Sequence, residues 1–193
     1  MPQYKIRDFT GDAEAIVRSN SKDTEIIRKL RPLLMQVIAS SRSVPDQAFA
    51  PRKDRFANNL IYMPEDRVFS VMGATWLSGQ TTPIHDHLTW AVVGVYDGEE
   101  RESIYRRVDD GSEPKRAKLV LASERINEKG HITTLGEKGI HKIDNVSDKL
   151  SKSIHVYGLD LGHAERHAYD PVSGEVSTFV SGYCNVLRDL DEN

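Results

Sequence analysis

Residues 83–90 read PIHDHLTW, and His85 and His87 are two of only seven histidines in the chain. On a strand, residues i and i+2 point to the same face, so these imidazoles project side by side. Such a pair can chelate one metal ion, or it can be a solvated polar pair on an ordinary strand. A second stretch, SKSIHVYG at 151–158, has the same period. Ser153, His155 and Tyr157 share one face, and Ile154 and Val156 share the other. The serine can hold one imidazole nitrogen while the other nitrogen orients or polarises the tyrosine hydroxyl. A buried polar face with satisfied hydrogen bonds would carry the same pattern. It is not a Ser-His-Asp arrangement, and no nucleophile elbow is visible. Between the two stretches, GHITTLGEKGIHKIDN supplies Gly130, Gly136, His141 and Asn145.

These side chains need strands to position them, and the chain supplies strands after a helical start. A broad apolar face of Ile26, Ile27, Leu30, Leu33, Leu34, Val37 and Ile38 predicts a helix capped by Ser21 or Asp23, with Pro32 either kinking it or starting a second helix. A shorter helix is expected over 12–19. Beyond residue 40, β-rich runs alternate with Gly, Asp, Asn and Pro clusters. Candidate strands are 60–62, 69–77, 89–96, 102–107, 118–121, 131–134, 140–145, 153–157 and 176–183. Many short strands at this spacing predict an all-β sandwich or barrel rather than a parallel doubly wound sheet. The charged stretch 109–118 reads as an exposed hairpin tip. Trp76 and Trp90 read as core residues, with Trp90 the one that could wall a pocket.

The chain of 193 residues is 38% hydrophobic and 28% charged, with a formal net charge of −3. That length and composition suit one domain over 1–193, with a mainly helical segment over 1–45 and a β-barrel over 46–193. The charge argues against nucleic acid as a partner. No apolar run is long enough to span a membrane, and the N-terminus lacks an apolar signal-peptide core. The single cysteine, Cys184, excludes an internal disulfide framework and a cysteine-based zinc site. A cytoplasmic protein, monomeric or weakly homo-oligomeric, is the expectation.

Gly79, the histidine pair, Gly94 and Gly98, followed by Gly130, Gly136, His141 and Asn145, resemble the two motifs of the cupin superfamily. The resemblance implies a jelly-roll (double-stranded β-helix) barrel, with N-terminal helices packed against it, that brings the strands around one cavity. It makes His141 the third metal ligand beside His85 and His87. The usual cupin glutamate should fall near Ala91 or Val92, and both are apolar. Three neutral imidazoles leave a divalent metal its full charge and open positions; zinc, iron, nickel and copper all accept them.

Adding Ser153, His155 and Tyr157 sharpens the resemblance to the thiol dioxygenases, the cysteine dioxygenase family of cupins. That family implies one iron(II) per chain on His85, His87 and His141, with the serine-histidine-tyrosine row beside it. YDPVSGEVSTF looks like the family's closing hairpin. Where the mammalian type has an arginine before an Asn-Leu pair, this chain has Asn58. Arg166, nine residues after Tyr157, resembles the carboxylate-binding arginine of the bacterial 3-mercaptopropionate dioxygenase group. Arg101, Arg106 and Arg107 are weaker alternatives, and His163 and His167 flank Arg166 as surface or supporting residues. The crosslinking cysteine of the mammalian type is matched by Val92. The implied activity is oxidation of a small carboxylate-bearing thiol, 3-mercaptopropionate or cysteine-like, to its sulfinate with both atoms of O2. A cupin oxygenase acting on a non-thiol substrate, or a non-catalytic metal-binding cupin, are the alternatives.

Overall fold

The computed structural model describes residues 3–40, 42–187 and 190. Two helices lead: α1 (Ile6–Ser19) and α2 (Asp23–Ala39). The first begins well before the expected residue 12. Ile6, Phe9, Thr10 and Ala13 form its buried stripe, and the Asp8 carboxylate accepts the Lys5 backbone N–H at 2.9 Å, closing the first turn. Helix α2 is flanked by Lys22 rather than capped by Ser21 or Asp23, and it runs unbroken through Pro32. Pro32 lies on the solvent face, where water can satisfy the carbonyl its missing N–H leaves unpaired. Among the described residues no helix is long and apolar enough to cross a membrane.

The strands are β1 (Ala57–Tyr62), β2 (Ser70–Trp76), β3 (Ile84–Asp86), β4 (Ala91–Asp97), β5 (Glu99–Arg107) and β6 (Leu119–Glu128). They continue with β7 (Ile132–Leu135), β8 (Ile140–Asp144), β9 (Ser151–Tyr157), β10 (Arg166–Tyr169), β11 (Val176–Phe179) and β12 (Asn185–Val186). They form two six-stranded sheets, ordered β12-β1-β2-β9-β4-β7 and β11-β10-β3-β8-β5-β6. Every ladder is antiparallel except β1 with β12. The sheets face each other across a cavity, as a jelly roll requires. Among the described residues they do not close into the expected barrel. The strands at the seams are short, four residues in β7 and β11 and two in β12, leaving few backbone groups to bridge a corner.

The first sheet is buried on both faces, which is why its strands read as near-continuous apolar runs. Val71, Val92, Ile154 and Val156 pack with Leu30, Leu34 and Ile38 of α2, whereas Met72, Ala91, Val93 and Tyr157 face the cavity. Gly94 permits the close approach of α2, because a Cβ there would lie 2.3 Å from Ile38 Cδ1. Strands β3, β10 and β12 were not expected from the sequence; β3 is only three residues long and follows Pro83. Strand β6 runs well past residue 121, its exposed residues held by pairing with β5 rather than by apolar periodicity.

Candidate metal centre

His85 on β3 and His141 on β8 are direct cross-strand partners, and His87 follows β3. One ligand nitrogen from each of the three lies within 4.8 Å of the others, and all three residues are buried. The chain leaves the site through Leu88, which adopts the left-handed region at φ 55°.

The hydrogen bonds behind the rings decide which nitrogens are free. His85 Nδ1 lies 2.9 Å from the Pro83 carbonyl oxygen, so it carries the proton and leaves Nε2 with its lone pair. His141 Nδ1 lies 3.0 Å from Glu102 Oε1, with the same consequence. His87 has neither nitrogen hydrogen-bonded, and both are buried. Burial first, then the neighbouring imidazoles and Arg166, hold His85 and His87 well below the usual histidine range. Three imidazoles whose ligand nitrogens lie this close together, one of them without any hydrogen-bond partner, fit a divalent first-row transition metal.

Two carboxylates stand outside this donor set. Burial opposes the charge on Glu102, yet hydrogen bonds from His141, Thr133 and Asn127 hold it at about 2. Arg125 adds a contact at 3.0 Å. Asp86, between the two histidines of β3, accepts from the His167 backbone N–H (2.9 Å), His167 Nδ1 (2.8 Å) and Tyr169 Oη (2.8 Å). Those bonds tie the short β3 to β10. The sequence reading missed both carboxylates, although GEERES carries glutamates at i and i+2, a spacing that puts them on one strand face.

Opposite the histidines, Ser153 Oγ lies 2.7 Å from His155 Nε2, and His155 Nδ1 lies 2.7 Å from Tyr157 Oη. All three residues are buried. Burial pushes His155 down to about 3, so the ring is neutral, and burial raises the Tyr157 hydroxyl above its ordinary value. The Tyr157 ring packs on His87 with centroids 4.9 Å apart, which joins the row to the histidine cluster.

Arg166 opens β10, the strand paired with β3, and is 3% exposed. Its Nη2 donates to Ser181 Oγ at 2.9 Å, its Nη1 reaches the Asp86 backbone oxygen at 3.5 Å, and its guanidinium lies over the Phe179 ring at 4.6 Å. Its Nε has no partner. Burial draws its pKa down. Asn58 of β1 lines the same cavity, which is walled also by Trp76, Met72 and Phe179.

The structure thus brings His85, His141, His155, Tyr157, Arg166 and Asn58 around one cavity, with His87 clustered against the other two histidines and Ser153 hydrogen-bonded to His155. It moves other residues away from it. Arg101 pairs with Asp144, Arg107 with Asp109, and His163 with Asp160 outside the cavity. Trp90 sits in the helix-side core, while Trp76 takes the cavity wall. The position facing Tyr157 is its cross-strand partner Ala91; Val92 pairs with Val156 and points toward the helices. The correspondence drawn to Val92 therefore shifts by one residue, because neighbours on a strand face opposite ways. Neither residue is a cysteine.

A protein-family model described as cysteine dioxygenase type I matches residues 33–170, more than half of the chain. Among solved structures, an oxalate oxidase aligns at 20% identity over 48% of this chain and 42% of its own, with a TM-score of 0.39. The cupin domain of Schizosaccharomyces pombe Cnp3 aligns at 9% identity over 54% of this chain and 61% of its own, TM-score 0.43. A conserved Klebsiella pneumoniae protein with a double-stranded β-helix domain aligns at 14% identity over 72% of this chain and 96% of its own, TM-score 0.46. The chain spans less than half the length of the oxalate oxidase it matches.

Proposed function

The chain belongs to the cysteine dioxygenase type I family, and from that premise we propose that it is an iron(II)-dependent thiol dioxygenase. Its substrate is a small carboxylate-bearing thiol, oxidised to the sulfinate with both atoms of O2. The observation that carries this reading is the pair of unmet demands within one cavity. Three buried imidazoles, His87 with both ring nitrogens unpaired, want a cation. Beside them, a buried guanidinium hydrogen-bonds, among the described residues, only to a hydroxyl and a backbone carbonyl and wants an anion. A thiol linked by a few bonds to a carboxylate answers both.

His85, His87 and His141 would hold one iron(II) per chain. When bound, the iron supplies the redox chemistry that joins dioxygen to sulfur. Arg166 offers a planar fork of donors to the carboxylate, and Asn58 offers an amide beside it. Anchoring the carboxylate fixes where the sulfur end lies and removes much of the entropic cost of its alignment. Tyr157, kept protonated by its burial, donates a hydrogen bond into the cavity, with His155 and Ser153 fixing its orientation.

Among thiols, the lining favours 3-mercaptopropionate over cysteine. Cysteine carries an ammonium, and no Asp or Glu lines the cavity among the described residues. A buried ammonium without a counter-charge is costly, whereas 3-mercaptopropionate has none to bury. The protein acts as a monomer or weak homo-oligomer in the cytoplasm, with the thiol and O2 as its partners. Oxygen uptake by the iron-loaded protein with a panel of small thiols tests this. Uptake matched by sulfinate, with kcat/KM highest for 3-mercaptopropionate, is expected. No uptake with any thiol, with or without a carboxylate, would sink the reading and leave oxygenation of a non-thiol substrate or plain metal binding.

A further inference from the structure

Glu100 has no part in the chemistry above, yet it is 1% exposed. It lies on β5 of the second sheet, and its carboxyl reaches across to β9 of the first. Ser151 Oγ donates to its Oε1 at 3.0 Å, and Ser153, on the same face of β9 two residues along, acts on the same carboxyl. Glu102, two residues along, has Arg125 and His141 as partners, but no cation acts on Glu100 among the described residues. The carboxyl therefore stands at the head of a buried row: Glu100, Ser153, His155, Tyr157, cavity.

We propose that Glu100 is a positioning residue that sets the direction of the hydrogen bonds along this line, and so decides whether Tyr157 turns a donor or an acceptor to the cavity. Resting on the role given to Tyr157 above, it deepens that reading. The logic follows from counting protons. His155 is neutral and carries one N–H. With Glu100 protonated, the carboxyl donates to Ser153, Ser153 donates to His155 Nε2, and Nδ1–H donates to the Tyr157 oxygen. Tyr157 O–H is then free to point at the cavity. With Glu100 ionised, every arrow reverses: Nε2–H donates to Ser153, Ser153 to the carboxylate, and Tyr157 O–H to Nδ1. The cavity then sees only a phenolic lone pair. Between the two states one proton leaves the carboxyl for solvent and the His155 proton changes nitrogen. Ser153, His155 and Tyr157 each keep one.

The surroundings make both states reachable. Burial raises the Glu100 carboxyl to about 7, against the hydrogen bonds of Ser153 and Ser151, and the Glu102 charge adds to the rise. On β9 it faces Ser151, Ser153 and, through the row, His155 and Tyr157; on β6 its register partner is the uncharged Asn127.

The test needs neither turnover nor bound iron. Nitrogen NMR of isotope-labelled histidines in the metal-free protein reads the His155 tautomer, and infrared spectroscopy reads the protonated carboxyl. In the unmodified chain, His155 should shift from Nδ1–H to Nε2–H as the pH rises through neutrality, with the carboxyl band lost over the same interval. In Glu100→Gln, whose amide can donate to Ser153 at every pH, the Nδ1–H tautomer should persist throughout. A tautomer that does not move while the carboxyl titrates overturns the proposal, as does a switch that survives in Glu100→Gln. So does the absence of a carboxyl titrating near neutrality, a result the unmodified protein gives even if the variant fails to fold. Since no thiol is involved, these outcomes are separate from the failure of the dioxygenase reading.

Discussion

Two neighbouring parts of the cavity treat buried charge in opposite ways. At the histidine cluster a carboxylate stands behind one of the bases, so Glu102 is compensated before any ligand arrives. At Arg166 a full cation is buried among a hydroxyl, a backbone carbonyl and an aromatic face, with no carboxylate hydrogen-bonded to it among the described residues. The first part is suited to a cation and the second to an anion. Under the proposed function, that difference would orient a substrate that carries both a metal-binding sulfur and a carboxylate.

The most direct way to break the comparison is to remove the orphaned base. His87 makes no hydrogen bond through its ring, so His87→Ala should leave the fold intact. It should abolish stoichiometric iron binding, a loss beyond the roughly 10–100-fold that outer partners of a metal ligand cost. Metal analysis after dialysis checks this, and full iron occupancy in the variant would remove His87 from the site.

The neutrality of the buried bases has its own signature. Burial holds His155 at about 3 in the folded protein, against 6.5 for an ordinary histidine. A depressed folded value means that stability is present above 6.5 and is lost as the pH falls toward 3. That amounts to on the order of 4 kcal/mol from this group in the metal-free protein. Urea unfolding across that interval should show this contribution as a smaller acid dependence in His155→Gln than in the unmodified protein. An acid dependence that the substitution leaves unchanged would mean that His155 is not held neutral.

Arg166→Met sharpens the other half. Loss of a charge-assisted pairing with the carboxylate predicts a rise in KM for 3-mercaptopropionate of roughly a hundredfold. Thiols without a carboxylate should be much less affected. Stability should hold or rise, because the change removes a buried charge that no carboxylate hydrogen-bonds among the described residues. An unchanged KM would move the anchor elsewhere, and a large loss of stability would show that Arg166 is a structural strut.

The residues that meet at the cavity were legible because strand periodicity is strict. HxH and SxHxY each put their polar residues on one face, and the resemblance supplied His141 and Arg166. What escaped was whatever depends on which sheet a strand joins. Strand β3 is too short to read as one, yet its pairing with β8 sets His85 opposite His141. Asp86 looked like a spacer between histidines; only the neighbouring β10 makes it a fastening. Glu100 and Glu102 read as part of a charged strand start, because local pattern assigns carboxylates to solvent. Here the inward face of β5 is polar, and its partners come from β7, β8, β9 and the distant part of β6. The shift from Val92 to Ala91 has the same origin, since a count along the chain misplaces a face by one residue.

Glu102→Gln tests the smallest and most specific part of the comparison. Glutamine can keep the hydrogen bonds to Thr133 and Asn127 in size and shape, but it removes the negative charge behind His141. If Glu102 serves only to pack β5, metal affinity should be nearly unchanged. If it orients Nδ1–H and raises the basicity of the opposite nitrogen, iron affinity should fall about 10–100-fold. Arg166, which shares no hydrogen bond with this network, should keep its preference for carboxylate-bearing thiols once iron is supplied in excess. A competition titration against a chelator, followed by KM values at saturating iron, separates the two. A change in thiol preference without a change in iron affinity would mean that the two parts are not independent, and that the carboxylate behind His141 acts on the substrate rather than on the metal.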